Sequence, residues 1–136
     1  QEGVTIGDRT RIQSHTFICD MVSIGNDVFV GHGVMFINDT MPPQPEKEKW
    51  LPTIIEDGAS LGSNCTIMPV RVGKNSVVGA GAVVTKDVPP HALVIGNPGS
   101  VRGWVSHDGE VLGPELVCPR SRRRYRVLNG ELVEDV

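Results

Sequence analysis

Residues 18–36, ICDMVSIGNDVFVGHGVMF, place a large apolar side chain at every sixth position. An α-helix repeats about every 3.6 residues and a strand every 2, so a spacing of six indicates a repeated structural unit. The same spacing continues on both sides of this stretch, with a break after Phe36 and a slip of one residue before Val72. The residues of this series are Ile6, Ile12, Ile18, Ile24, Val30, Phe36, Ile55, Leu61, Ile67, Val72, Val78 and Val84.

A second series of smaller or β-branched residues stands two positions before the large ones. Its members are Thr10, Thr16, Val22, Val28, Val34, Ala59, Cys65, Ser76 and Ala82. Both series are predicted to face inward, and glycine often follows the large residue, where the chain must turn a corner. The pattern therefore predicts short β segments joined by tight turns and stacked around a shared interior.

Such a chain resembles the left-handed parallel β-helix, in which three hexapeptides form one triangular coil. The resemblance implies an all-β fold of about four coils, and it alone supplies the hand, because parallel strands generally favour right-handed crossovers. Folding the numbering into coils predicts two stacked corners. One corner stacks Gly31, Gly62 and Gly79, with His32, Ser63 and Ala80 beside them, and the other stacks Asp20, Asn38, Pro69 and Lys86.

The break in the repeat predicts a projecting loop at residues 40–53, stiffened by prolines and anchored by Trp50. Long loops on repeat scaffolds are usually functional. The pattern ends after Val84, so we divide the chain into a repeat helix at 1–89 and an exit segment with a C-terminal cap at 90–136. Alternating residues in the cap predict two or three strands that cover the open end.

Composition indicates an ordinary globular domain with one core. The 136 residues carry a net charge of −3, which gives no overall attraction for nucleic acid despite five arginines within 120–126. No apolar run is long enough to span a membrane and no signal peptide is visible, so a cytoplasmic location is expected. The three cysteines lack the spacing of a zinc site and are predicted to be reduced thiols, with Cys65 in the core and no metal bound.

The segment Val78–Pro89, followed by Gly96-Asn97-Pro98, resembles the C-terminal signature of hexapeptide-repeat acetyltransferases. In that superfamily coenzyme A lies in a groove between neighbouring subunits of a trimer, held largely by backbone groups of turn residues. The resemblance implies acetyl-CoA as co-substrate and a homotrimer with sites between subunits. The residues implied to line the coenzyme A groove are Gly62, Gly79, Ala80, Lys86 and Pro98, with Lys86 approaching the phosphates unless it is only a solvated turn lysine.

A closer resemblance covers about residues 24–105. The phrases Phe36-Ile37-Asn38-Asp39, Trp50–Ile55 and Gly58–Ile67 are similar to nucleotide-sugar N-acetyltransferases. These include enzymes acting on UDP-2-acetamido-3-amino-2,3-dideoxyglucuronate and relatives acting on dTDP-3-amino-3,6-dideoxyhexoses. The resemblance implies acetylation of the amino group of a nucleotide-linked amino sugar, as in polysaccharide biosynthesis.

Asn38 and Asp39 are then implied to orient the amine by hydrogen bonds, with Asp39 accepting its surplus proton or stabilising the ammonium. Trp50 is implied to contact the substrate, and backbone N–H groups near Gly79 to stabilise the thioester oxyanion. The alternative is that Asn38 and Asp39 merely shape a turn, as these residue types often do.

Met41 separates this chain from hydroxyl-acetylating members of the superfamily. Those enzymes carry Thr-His-Pro at the start of the loop, with the histidine as general base, whereas this chain reads Thr40-Met41-Pro42. A thioether cannot accept a proton at neutral pH, but a neutral amine attacks a thioester without such a base. The sequence therefore favours N-acetylation over O-acetylation.

His15 and His32 are predicted to lie one coil apart at the first corner. His32 is a candidate general base and His15 a candidate substrate contact, or both are exposed turn residues without a chemical role. Other readings are a zinc-dependent γ-type carbonic anhydrase, for which later histidines are missing, and a non-catalytic β-helix that serves as a binding module. A uronic acid substrate would need a cation near the loop, for which Lys47, Lys49 and Arg71 are candidates or simply surface charges.

Overall fold

A computed structural model describes residues 1–135 of the chain. The repeat forms three mainly parallel sheets, to which successive strands contribute in turn, and the C-terminal part adds a two-stranded antiparallel sheet. Within residues 1–135 there is no α-helix, one 3-10 helix at Lys47–Lys49, and no helix suited to crossing a membrane. The strands are β1 Thr5–Ile6, β2 Arg11–Ile12, β3 Val22–Ile24, β4 Phe29–Val30, β5 Met35–Phe36, β6 Thr53–Ile55, β7 Ser60–Leu61, β8 Thr66–Ile67, β9 Arg71–Val72, β10 Val77–Val78, β11 Val83–Val84, β12 Ala92–Ile95, β13 Ser100–Trp104, β14 Tyr125–Leu128 and β15 Glu131–Glu134.

Successive strands of the repeat belong to different sheets. The first sheet has the order β1-β3-β6-β9, the second runs β2-β4-β7-β10-β12, and the third has the order β5-β8-β11. All of these pairs are parallel, and Phe17 extends the third sheet by a bridge to Met35. The period of six therefore predicted the short β segments, and the resemblance to the β-helix supplied their stacking along three faces.

The two inward series form the core. Val22, Val30, Leu61 and Val72 are fully buried, and so is Cys65, which confirms its predicted core position. The N-terminal coil is the exception, because Ile6 keeps 49% of its surface exposed. Ile6 pairs in register with the inward Ile24 and so faces the interior as predicted, but its side chain stays exposed because no coil packs beneath the first one in the described chain.

The predicted corners follow from the strand registers. Val30, Leu61 and Val78 are paired in successive strands, which stacks Gly31, Gly62 and Gly79 as expected. At the other corner, the pairing of Phe36 with Ile67 and of Ile67 with Val84 stacks Asn38, Pro69 and Lys86, and the Phe17–Met35 bridge adds Asp20. Both corner predictions are confirmed.

The parallel pairing continues beyond residue 89, because β12 lies beside β10 in the second sheet. The strand β13 then pairs with β12 in the antiparallel sense, and β14 and β15 form a separate antiparallel hairpin. A small second core lies under this hairpin and contains Leu112, Cys118, Tyr125 and Leu132.

Candidate functional site

Asn38 lies where the chain leaves the third sheet to form the loop. Its side-chain Nδ2 donates a hydrogen bond to the Asp20 carbonyl at 3.3 Å, and its own carbonyl accepts one from the Leu51 N–H at 3.1 Å. The first bond ties the loop to the coil below, and the second closes the two ends of the loop on each other. Asn38 is 9% exposed, and its Oδ1 accepts no hydrogen bond from residues 1–135, so this oxygen is available to a ligand.

The Asp39 carboxylate organises the first half of the loop. Its Oδ1 accepts a hydrogen bond from the Met41 N–H at 3.0 Å, and its Oδ2 accepts one from the Gln44 N–H at 2.7 Å. This is the turn-shaping role that aspartate commonly plays. A carboxylate oxygen accepts two hydrogen bonds, so Asp39 retains acceptor capacity toward a ligand while it holds the loop.

Trp50 closes the far side of the loop, directly after the 3-10 helix at Lys47–Lys49. Its indole Nε1 donates a hydrogen bond to the Gln44 carbonyl at 2.9 Å, which fixes the ring against the loop backbone. The Lys47 Nζ lies 5.8 Å from the ring centroid, within the range of a cation–π contact.

These three residues line one cavity of about 430 Å³, which we call the loop pocket. Its other walls are mainly apolar and include Phe17, Cys19, Met35 and Pro42. A second cavity adjoins it through Gln1 and Trp50 and presents the side chains of Glu2, Asp20 and Lys47. The structure therefore brings Asn38, Asp39 and Trp50 together, while their roles stay a prediction.

Gly62 and Gly79 stand in direct backbone contact at the other corner. A Cβ on Gly62 would lie 2.5 Å from the Ala80 nitrogen and 2.8 Å from the Gly79 carbonyl carbon. The Gly79 N–H already donates a hydrogen bond to the Val94 carbonyl at 2.8 Å, so it is not available to a ligand. The Ala80 N–H donates to no acceptor within residues 1–135, which leaves it as the N–H near Gly79 that can reach a ligand.

Lys86 lies in a third cavity, of about 230 Å³, between the end of β11 and the strands β12 and β13. Gly99 and Ser100 form the opposite wall, and Pro98, immediately before them, is exposed. Lys86 occupies the same corner as Asn38 two strands further along. With about 5 Å between neighbouring strands, their Cα atoms lie roughly 10 Å apart.

His15 and His32 are both exposed turn residues at the first corner. His15 adopts a left-handed backbone with φ of 64°, and Gly33 has the equivalent conformation in the next coil with φ of 65°. The His32 N–H donates to the Ser63 Oγ at 3.0 Å. Neither imidazole lines the loop pocket, and the structure gives no hydrogen bond to either ring within residues 1–135.

Two of the three candidate cations for a uronic acid are engaged elsewhere, whereas Lys47 lines the cavity that adjoins the loop pocket. Lys49 forms an ion pair with Glu46 at 2.9 Å, and Arg71 pairs with Glu56 at 2.6 Å in a separate groove of the first sheet. Residues 1–135 also contain no group of three His, Cys, Asp or Glu side chains placed to hold a metal ion.

Sequence reasoning did not identify Phe17, Cys19 and Met35 as pocket residues. Phe17 and Met35 point outward from the third sheet, and both remain partly exposed, at 44% and 39%. Phe17 and Met35 stand one residue before the inward positions Ile18 and Phe36, on the two coils that meet the loop. This position was the signal available in the sequence. Burial raises the pKa of the Cys19 thiol, so Cys19 presents a neutral group to the pocket.

A family model described as the hexapeptide repeat of succinyl-transferase matches residues 52–86. A hexapeptide-repeat acetyltransferase from Vibrio cholerae O1 biovar eltor, solved in complex with acetyl coenzyme A, is 30% identical to the chain. Its TM-score is 0.68, over 77% of this chain and 62% of that one. The chain carries the hexapeptide repeat and shares the fold of hexapeptide-repeat acetyltransferases.

Two further relatives show how broad this likeness is. The bifunctional protein GlmU of Thermotoga maritima is 42% identical over 104 residues, which cover 74% of this chain and 22% of GlmU. A maltose O-acetyltransferase from Clostridium difficile 630 is 26% identical, with a TM-score of 0.69 over 78% of this chain and 61% of that one. The chain thus spans about a fifth of its GlmU relatives and three fifths of these acetyltransferase structures.

Proposed function

We propose that this hexapeptide-repeat protein transfers an acetyl group from acetyl-CoA to the amino group of a nucleotide-linked amino sugar. The observation that carries the proposal is the chemistry of the loop pocket. The polar atoms that Asn38 and Asp39 turn to a ligand there are an amide oxygen and a carboxylate, which accept hydrogen bonds. Both an amine and a hydroxyl donate such bonds, but a hydroxyl needs a general base and no histidine of residues 1–135 lines the loop pocket, so the pocket suits an amine as the acetyl acceptor.

The reaction needs little from the protein beyond positioning. The lone pair of the neutral amine attacks the thioester carbonyl carbon, the carbon–sulfur bond breaks, and the coenzyme A thiolate leaves with the electron pair. The surplus proton of the nitrogen passes to Asp39, to water or to the thiolate. Asn38 Oδ1 and Asp39 hold the amine in line for this attack, a contribution of orientation rather than of strong base catalysis.

We place coenzyme A along the corner formed by Gly62, Gly79 and Ala80, with its phosphates toward Lys86 and Pro98. The Ala80 N–H is the donor that supports this placement, because it has no acceptor within residues 1–135. The partly exposed Phe17 and Met35, together with the half-buried Phe29 and Leu93, give the second and third sheets apolar outer surfaces. A homotrimer would cover these surfaces and bring the groove of one subunit to the loop pocket of its neighbour.

The test is release of free thiol from acetyl-CoA in the presence of UDP- and dTDP-linked 3-amino and 4-amino sugars. A nucleotide sugar with a hydroxyl in place of the amine serves as the matched acceptor control. We expect turnover of at least one amino sugar and none of its alcohol. Turnover of the alcohol would replace the proposal with O-acetylation, and binding of coenzyme A without any turnover would favour the binding module.

Variants at the loop root complete the test. Asn38→Ala removes the amide oxygen, whereas Asp39→Asn removes the charge and keeps one of the two oxygens that accept the Met41 and Gln44 N–H groups. Each is expected to lower kcat/KM by about tenfold to a thousandfold, as the loss of an orienting contact does. Lys74→Ala, at an exposed turn outside the loop pocket, is the control and should retain full activity.

A further inference from the structure

The C-terminal part of the chain is joined to the repeat helix through few polar contacts. Residues 105–135, which we call the cap lid, contain the hairpin of β14 and β15 and the small second core. The ion pairs of the cap lid all lie within it, and they are Arg120–Glu110, Arg123–Glu134 and Arg126–Asp135. His91 makes every hydrogen bond that the structure gives between the cap lid and residues 1–99.

Two of the contacts of His91 are hydrogen bonds to Val105, at the base of the cap lid. The His91 carbonyl accepts the Val105 N–H at 2.8 Å, and the His91 Nδ1 lies 2.8 Å from the Val105 carbonyl oxygen. Because a carbonyl oxygen only accepts hydrogen bonds, Nδ1 carries the proton of the neutral ring. A second proton must be taken up at Nε2, which forms no hydrogen bond within residues 1–135.

The third contact joins two imidazoles. The ring centroids of His91 and His107 are 4.4 Å apart, and His91 is only 8% exposed. His107 is itself fixed within the cap lid, because its Nδ1 lies 2.8 Å from the Tyr125 hydroxyl and its N–H donates to the same oxygen at 3.1 Å. The cap lid therefore presents a fixed imidazole to the one on the repeat helix.

No acidic side chain offsets the charge that this pair would carry after protonation. Within residues 1–135, no carboxylate lies at ion-pair distance from either imidazole. The two acidic residues of the turn at 106–110 are engaged elsewhere. The Asp108 Oδ2 lies 3.6 Å from the Cys118 Sγ, and Glu110 pairs with Arg120 at 3.3 Å.

The other titratable groups beside the pair are Lys74 and Tyr125. Lys74 accepts the His91 N–H through its carbonyl at 2.8 Å, so the turn on the repeat side brings a positive charge, while Tyr125 offers a hydroxyl. Burial lowers the pKa of His91, the bond to Val105 acts in the opposite direction, and the neighbouring His107 lowers it again. Two imidazolium rings at this distance would repel each other in a poorly solvated place.

We propose that His91 and His107 form a pH-sensitive latch, which holds the cap lid against the repeat helix while both rings are neutral and releases it when the pair takes up protons. The released cap lid turns about the end of β13 and leaves the repeat helix folded, because the two parts have separate cores. Trp104, at this hinge, packs against both cores, so release exposes its indole. The latch does not depend on the acetyl transfer proposed above.

The size of the response follows from proton linkage. A histidine that is protonated only in the released state, with an ordinary pKa of about 6.5, raises the released population about tenfold between about pH 7.5 and 5.5. A second imidazole that takes up its proton only on release raises the factor toward about a hundredfold. The latch is therefore closed at neutral pH and opens on mild acidification.

The test measures release in the full chain by hydrogen exchange at about pH 7.5 and 5.5, with the intrinsic effect of pH on exchange removed. The Val105 N–H, which donates to His91, reports the cap lid, and the Gly62 N–H, which donates to Val78, reports the repeat helix. We expect the protection of Val105 to fall between about tenfold and a hundredfold on acidification, and that of Gly62 to change by less than about threefold.

Tryptophan fluorescence gives a second measure of release. Trp50→Phe leaves Trp104 as the only tryptophan of the chain. Quenching of its emission by acrylamide should increase over the same pH range, because the indole loses its contacts with the cap lid.

Matched histidine variants identify the latch. His91→Gln and His107→Gln each remove one titrating ring, and each should reduce the fall in Val105 protection by about threefold or more relative to the wild-type protein. The double variant should respond no more than Gly62 does. His15→Gln is the control, since His15 is an exposed turn residue outside the cap lid, and it should keep the full response.

Two results would overturn the latch. One is an equal change in the protection of Val105 and Gly62, which would mean that acid either unfolds the whole chain or opens nothing. The other is a wild-type response that persists in both single variants. His107→Gln leaves both bonds between His91 and Val105 in place, so it decides the question even if His91→Gln fails to fold.

Discussion

Replacing Gly62 by alanine tests the corner geometry of the repeat. The new Cβ would lie 2.5 Å from the Ala80 nitrogen and 2.8 Å from both the Gly79 carbonyl carbon and the Val78 oxygen. All three are backbone atoms, and the Val78 oxygen accepts a hydrogen bond from the Gly62 N–H at 2.8 Å. The two coils therefore cannot move apart without weakening the hydrogen bonds between their strands. Overpacking costs about 1–3 kcal/mol and a weakened hydrogen bond about 1 kcal/mol more, which gives about 2–4 kcal/mol of lost stability.

Gly79→Ala is the matched control at the same corner, one coil further along. Its Cβ would lie 3.4 Å from the Ile95 Cγ1, 3.5 Å from the Val94 oxygen and 3.9 Å from the Ile95 Cα, which are ordinary van der Waals distances, and the Ile95 side chain is exposed. This substitution should change the free energy of unfolding by less than about 1 kcal/mol, and the reduced freedom of the unfolded chain favours the variant.

Urea unfolding at one fixed protein concentration, without coenzyme A, measures both variants. With a slope of about 2 kcal/mol per molar urea, Gly62→Ala should lower the midpoint by about 1–2 M and Gly79→Ala by less than about 0.5 M. Equal midpoints for the two variants would refute the close stacking of Gly62 on Gly79 and Ala80.

Three further predictions concern individual side chains. Burial lowers the pKa of His91, so on acidification from about pH 7.5 to 5.5 the unfolded chain binds a proton more readily than the folded chain. The free energy of unfolding should therefore fall over this range. Urea titrations at both pH values should show a smaller fall for His91→Gln than for the wild-type protein. Burial raises the pKa of Cys65 to about 11, so its thiol should react with an aromatic disulfide reagent only after unfolding, and rapid reaction of Cys65 itself in the native protein would contradict its core position. Lys86→Ala should raise the KM for acetyl-CoA several-fold at low salt and less at high salt, whereas equal effects of Lys74→Ala would remove Lys86 from the phosphate site.

Much of the fold was predictable because the period of six acts through side-chain burial. Val30, Leu61 and Val78 recur at the same phase and stack in the interior, so the sequence indicated both the corners and the core. Ile6 is exposed although it has the same phase, because burial in a repeat depends on the neighbouring coil and the first described coil has a neighbour on one side only. The left-handed winding rests on resemblance to the superfamily and stays a prediction.

The candidate site was predictable in place and only partly in composition. The break after Phe36 located the loop, and the corner register put Asn38 at its root. The sequence could not show that Asp39 is bonded to two backbone N–H groups of its own loop, since that depends on how the loop folds back. It also could not show Phe17 and Met35 as pocket walls, because outward-facing residues on a repeat are indistinguishable by pattern from ordinary surface.

The most direct test of the account is identification of the reaction product. The protein would be incubated with acetyl-CoA and a nucleotide-linked 3-amino sugar, and the sugar analysed by mass spectrometry and proton NMR. The account predicts one acetyl group on the amino nitrogen, formed by the wild-type protein and strongly reduced in Asp39→Asn. An acetyl group on a sugar hydroxyl, or an unmodified amino sugar across the whole panel despite bound coenzyme A, would contradict it.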